Sequence, residues 1–173
     1  MMELSKYIAC ICEGGAEQKI IELLLDANRL IFTYENLLEG EVLRCRSADS
    51  FEKQYLRKGF TEKITVLRIL DSRRENFNLS KAYVDKIKVI NVITAPEIEM
   101  LVIFRENKYT EFKRSGKKPS IYCKEDLGFS NVKSKDFIEN YFSNIDELVA
   151  AIIEYRRVSN VQRNEITLAD LLN

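Results

Sequence analysis

Lys6-Tyr7-Ile8-Ala9-Cys10-Ile11-Cys12-Glu13-Gly14-Gly15-Ala16-Glu17 opens as a short apolar run and is stopped by an acid and a pair of glycines. A run of this length with hardly a polar position is the pattern of a strand buried on both faces, as in a parallel sheet. Cys10 and Cys12 alternate with Ala9 and Ile11, which puts the two thiols on one side of that strand. From Ala16 the spacing changes. Ile20, Ile21, Leu24 and Asn28 fall on one helical stripe, and Glu17, Lys19 and Glu22 lie on the polar side. Strand, glycine turn and helix make the first step of an α/β chain. A second strand is expected over Glu41 to Arg46, with Ser47 to Asp49 capping a helix through Phe51, Tyr55 and Leu56. Lys63 to Leu70 is the strongest strand pattern, ending at Asp71-Ser72-Arg73-Arg74-Glu75 before Asn76 to Leu79. A fourth strand, Ile87 to Ile93, leads into Thr94-Ala95-Pro96, where proline suits the first turn of a helix carrying Glu97, Glu99, Met100, Leu101, Ile103 and Phe104. Strands alternating with helices at this spacing give a mostly parallel four-stranded sheet with helices on its faces.

Length and composition narrow the class. At 173 residues the chain is one domain by size, and 46% hydrophobic residues are ample for one core. Lys and Arg total 27 against 27 Asp and Glu, so net charge names no partner and any nucleic-acid face must be local. Histidine is absent, which removes Ser-His and Cys-His nucleophiles, HExxH zinc proteases and every imidazole metal site. Cys10, Cys12, Cys45 and Cys123 form no C-x-x-C pair, and Met1 is not followed by a basic region and an apolar run. A reducing, cytoplasmic setting is expected. No uninterrupted apolar stretch approaches the ~20 residues that span a bilayer, so no membrane partner is expected.

Two strands deliver acids to one edge of this sheet, Glu13 after the first and Asp71 after the third. Ligands of parallel sheets collect at the strand C-termini, and converging carboxylates form a hard oxygen site suited to Mg²⁺ or Mn²⁺. Such an ion stabilises phosphoryl oxygens and orients a nucleophile without histidine. Gly14 and Gly15 would let a phosphate approach the backbone at a helix N-terminus. The alternative is that Glu13 and Glu17 are only an acidic pair interacting with the helix dipole.

Ile11-Cys12-Glu13-Gly14-Gly15-Ala16-Glu17 resembles the first motif of the toprim superfamily, E-G-x-x-E after a buried strand, found in topoisomerases, primases and overcoming-lysogenization-defect nucleases. Ile69-Leu70-Asp71-Ser72-Arg73 stands where the second motif, D-x-D, is expected, and matches it in the first acid alone. Thr94 to Phe104 resembles the N-P-x-F-E-x-W-x-L segment of RloB-like toprim proteins, which are linked to restriction loci and abortive infection, with Glu99 as the matching acid and Glu97 close enough to compete. The likeness runs in order over about the first 105 residues. It implies a toprim-like domain in which Glu13 is the key catalytic acid or metal ligand, Glu17 supports it and Asp71 binds divalent metal. Arg73 departs from the pattern. It lowers local negative charge and leaves the site one metal or none, unless Glu75 or Glu99 supplies the missing carboxylate.

The second half has a different character. Residues 105 to 135 hold nine basic residues against four acidic ones, with Lys113, Arg114, Lys117 and Lys118 near a turn and Tyr109, Phe112 and Tyr122 interleaved. That is the composition of a phosphate-contacting loop, to which Arg73 would add, and equally of a solvated surface with aromatic anchors. Lys135 to Phe142 and a helix capped by Ser143 or Asn144, apolar at Ile145, Leu148, Val149, Ile152, Ile153 and Tyr155, make the C-terminal part helical. Residues 1–157 are expected to form the toprim-like α/β domain and 158–173 a tail or short docking helix. The function expected from the resemblance is divalent-metal-dependent cleavage of nucleic acid, DNA or RNA, in phage defence or a mobile-element system, with an ABC-type ATPase as possible partner. A catalytically inactive module that binds nucleic acid or a partner protein is the alternative, and an α/β assembly subunit a third.

Overall fold

The computed structural model describes residues 2–56, 59–94 and 98–173. Four strands, β1 (Tyr7–Cys12), β2 (Leu43–Arg44), β3 (Ile64–Leu70) and β4 (Ile87–Ile93), form one sheet in the order β2-β1-β3-β4. All three pairings are parallel, with Cys12 opposite Arg44 on one side and Ile69 on the other. The chain is therefore α/β with a parallel four-stranded sheet flanked by helices and a helical C-terminal part, as the alternation of patterns predicts.

The helices divide between the two faces. Helix α1 (Gly15–Asp26) lays Ile20, Ile21 and Leu24 against Ile8, Cys10, Cys12, Leu67 and Ile69. Cys10 and Cys12 do share a face. On the opposite face α2 (Ala48–Tyr55) buries Phe51, with Leu56 just beyond its end, against Ala9, Ile11, Ile64 and Val66. Ser47 caps α2, its hydroxyl accepting from the Ser50 amide at 3.1 Å. After β4 come α3 (Met100–Arg105), α4 (Tyr109–Ser115), α5 (Pro119–Glu125), α6 (Lys135–Tyr141) and α7 (Ile145–Val158), which extend the α1 face. Asn144, rather than Ser143, caps α7 by accepting from the Asp146 amide.

Several elements depart from the sequence pattern. The second strand pairs over two residues instead of six, because it is an edge strand and the chain turns away at Cys45, whose thiol donates to the Ser47 carbonyl at 3.3 Å. No helix spans residues 71–86; Phe77, Leu79 and Tyr83 cover the α2 face in its place. The helix after β4 starts at Met100, while Pro96 and Glu97 lie outside the described residues. The basic stretch is a pair of helices, α4 and α5, joined at Gly116, whose φ of +66° suits a residue without a side chain.

The final segment docks. The Ile93 amide donates to the Ile166 carbonyl at 2.7 Å, Thr167 and Asp170 cap a 3₁₀ turn over Leu168–Leu171, and the Ile31 amide donates to the Leu171 carbonyl at 2.9 Å. Leu168 and Leu171 are buried beside α1 and α7. No helix among the described residues is long and apolar enough to cross a membrane. Leu171→Ala is expected to cost about 2–5 kcal/mol through a core cavity, whereas Val84→Ala, at a position 54% exposed, should stay within ~0.5 kcal/mol of wild type; urea unfolding midpoints check both.

Candidate functional site

The strand order contains one reversal. The chain passes from β1 through α1 to β2 on one side, then returns through α2 across β1 to β3 on the other. The chain leaves β1 through α1 on one face and leaves β3 through the connection bearing Phe77, Leu79 and Tyr83 on the other, which opens a crevice between their C-terminal ends, the usual ligand position in an open parallel sheet. Glu13 follows β1 directly and Asp71 follows β3 directly. Since Cys12 pairs with Ile69, both acids stand at the mouth of this crevice.

Glu75, four residues beyond Asp71, completes the group. Partial burial, a hydrogen bond shared with the Glu75 carboxyl, and repulsion from Glu75 and Asp71 push the Glu13 carboxyl up to about 7, against the opposing pull of Arg68. Two carboxyl groups close enough to repel one another in this way can also share a cation. Among the described residues, no three acidic or thiol groups already stand in a ligating arrangement. Oxygen is nevertheless the only donor type Glu13, Asp71 and Glu75 offer, so the set fits a hard cation such as Mg²⁺ or Mn²⁺.

Arg68 is the residue that pattern reading passes over. It sits inside β3 at 2% exposure, opposite Ile11 and Asn91. Its Nη2 lies 3.5 Å from Glu75 Oε2, its Nη1 donates to Asn91 Oδ1 at 3.4 Å, and its guanidinium stacks 4.6 Å from the Phe77 ring centroid. Burial lowers its pKa while Glu75 and Glu13 hold the charge in place. The available signal was one charged residue in the middle of an otherwise apolar strand.

The remaining candidates scatter. Glu17 is buried in the first turn of α1 and folds back over Gly14, where an added Cβ would stand 2.0 Å from Glu17 Oε2. A side chain at Gly14 would displace the Glu17 carboxylate from this position. The charge of Glu17 raises the Cys12 thiol on the α1 face, after burial and Cys10, and the acids acting on Glu13 are Glu75 and Asp71. Glu99 is buried ahead of α3 with Lys133 Nζ 3.2 Å from its Oε1, and Glu97 lies outside the described residues.

Arg73 is held by both oxygens of Glu165 in the docked C-terminal segment, Nη2 donating to Oε2 at 3.0 Å. The cation facing the acids is thus Arg68. Lys117 pairs with Glu125 at 3.1 Å and Asp126 at 2.6 Å. Lys113, beside the Tyr109 ring, and Arg114 and Lys118 are exposed. Two further cations adjoin the start of α1: a Cβ on Gly15 would meet Lys135 Cγ at 3.2 Å and Arg44 Nη1 at 3.9 Å.

Glu13 carries a pH signature that can be tested without metal. Its pKa rises from 4.5 to about 7 on folding, so the folded chain keeps a proton that the unfolded chain loses within that window. Stability therefore falls as pH rises through the window and stays lowered above it. In EDTA, Glu13→Gln is expected to stabilise the protein at about pH 8 by ~1 kcal/mol, allowing for the half-exposed position, and to have little effect near pH 4. Urea melts at the two pH values check it, and equal midpoints at the higher pH would show an unstrained Glu13. No family model, curated protein or solved structure matches this chain, and its function is read from this crevice.

Proposed function

We propose that the crevice between β1 and β3 binds one Mg²⁺ or Mn²⁺ ion and cleaves nucleic-acid phosphodiesters. The supporting observation is the placement of Glu13 and Asp71 on adjacent parallel strands at the single reversal of strand order, with Glu75 beside Glu13. A divalent ion held there would neutralise phosphoryl oxygen charge and favour ionisation of an attacking water. The chain's own groups supply the rest. Glu13, half-buried beside Glu75 and with its pKa pushed up to about 7, is suited to take a proton near neutral pH. The start of α1 favours an anion, and Arg44 and Lys135 stand beside Gly15 to hold a phosphate. The exposed Lys113, Arg114 and Lys118 are the surface cations left to contact a longer strand.

The toprim resemblance of residues 11–17 and 69–73 supports the same assignment, and with it a role in phage defence or a mobile-element system alongside an ABC-type ATPase. Four buried free cysteines accord with a reducing cytoplasm. One observation favours the second reading, an inactive nucleic-acid-binding module: Arg68 already places a positive charge among the acids.

Calorimetric titration with Mn²⁺ separates the two. The wild type is expected to bind, and Glu13→Gln and Asp71→Ala each to weaken binding at least about tenfold, as befits loss of a charged ligand; labelled DNA and RNA oligonucleotides then test metal-dependent cleavage. A folded wild type without Mn²⁺ affinity, yet with salt-sensitive oligonucleotide binding, would establish the inactive module instead.

A further inference from the structure

Arg68 occupies a position that the fold would fill more cheaply with an aliphatic side chain. Its strand neighbours Leu67 and Ile69 are both core residues, and Val66 beneath it is fully buried. A guanidinium removed from water is costly unless its charge and donors are met. Those met here are few and long, Glu75 at 3.5 Å and Asn91 at 3.4 Å, supplemented by the Phe77 ring at 4.6 Å. An ion pair of that quality does not repay burial, because similarly placed apolar groups are usually as stable or more so. The charge of Arg68 therefore calls for an explanation beyond folding.

Its surroundings provide one. Glu13, Asp71 and Glu75 gather at the same end of the sheet, with Glu75 and Glu13 acting on the guanidinium and Asp71 acting on Glu13. The guanidinium offsets part of the charge that these carboxyl groups bring together, as a bound cation would. Arg73, the basic residue nearest Asp71 in sequence, is committed to Glu165 and does not share this task. Arg68 is fixed to a strand, whereas Glu75 lies on the helix-free connection after it; the pair ties the connection's acid to the rigid sheet.

Building on the metal-binding function proposed above, we propose that Arg68 is a resident counter-cation that stands in for a second divalent ion, so that the site takes one ion only. The consequence runs against the ordinary effect of deleting a buried charged side chain. Removing Arg68 should strengthen cation binding, since it removes a repulsive charge from beside the ligands.

The experiment is an Mn²⁺ titration at about pH 8 followed by the electron paramagnetic resonance signal of free Mn²⁺, on the wild type, Arg68→Met and Arg68→Lys, with circular dichroism as the check of folding. The wild type and Arg68→Lys are expected to bind one ion per chain. Arg68→Met keeps the length and loses the charge, and is expected to bind a second ion or to bind the first at least about tenfold tighter. Two ions on the wild type, or unchanged or weaker binding by folded Arg68→Met, would overturn the proposal. Binding by Arg68→Met alone would overturn both the one-ion site and the metal requirement proposed above, since Arg68 would then exclude metal from the native site. Binding by neither would overturn both. Should Arg68→Met not fold, the count on the wild type and Arg68→Lys decides, one ion supporting the proposal and two overturning it.

Discussion

β1 is hydrogen-bonded on both edges, to β2 and to β3, and covered on both faces. A strand so enclosed cannot expose polar side chains along its length, which is why polarity appears only where it ends, at Glu13. The parallel pairing with β3 then fixes where the next acid lies. With Cys12 opposite Ile69, the residues that follow each strand emerge together, and Glu13 meets the loop bearing Asp71 and Glu75. The crevice is a consequence of chain direction: α1 leads from β1 to β2 and α2 leads from β2 back across β1 to β3, so right-handed crossovers place the two helices on opposite faces.

Much of this was legible in the residues. The apolar run at 7–12, the largely apolar runs at 64–70 and 87–93 and the change of period at Ala16 are physical signals with strong tertiary reinforcement. The short second strand was less so, since pairing at an edge depends on where the chain turns away, here at Cys45. The helix-free connection at 71–86 reflects Phe77, Leu79 and Tyr83, whose spacing fits neither period yet whose rings still cover a sheet face. Glu13 and Asp71 could be placed at one edge from strand polarity alone. The partners of Arg73 and Glu99 could not, because Glu165 and Lys133 lie far along the chain and no local spacing links them. Arg68 was hidden by the very regularity of the strand that carries it.

The acids and the guanidinium form a system whose members set one another's charge. Burial and the neighbouring acids drive Glu13 toward the neutral form, and Arg68 opposes that. Glu13 is thereby held near the middle of its titration range at neutral pH, where adding either a proton or a cation relieves the same repulsion. Glu17, in contrast, is spent on the start of α1 and on its fold over Gly14, which separates the two acids of the E-G-x-x-E motif into a crevice group and a helix-end group.

The contact between Ile166 and β4 reaches beyond the stability of the last residues. β4 is the outermost strand, and beyond it only the Ile166 bridge supplies backbone partners among the described residues. An outer strand of a parallel sheet presents a row of unmet amides and carbonyls to any molecule in solution. The returning segment covers the end of that row nearest the crevice, and exposed Lys88, anchored on the Glu3 carbonyl at 3.1 Å, places charge along the other end. The closing turn of the chain thereby doubles as an edge guard, protecting the sheet from intermolecular strand pairing and self-association.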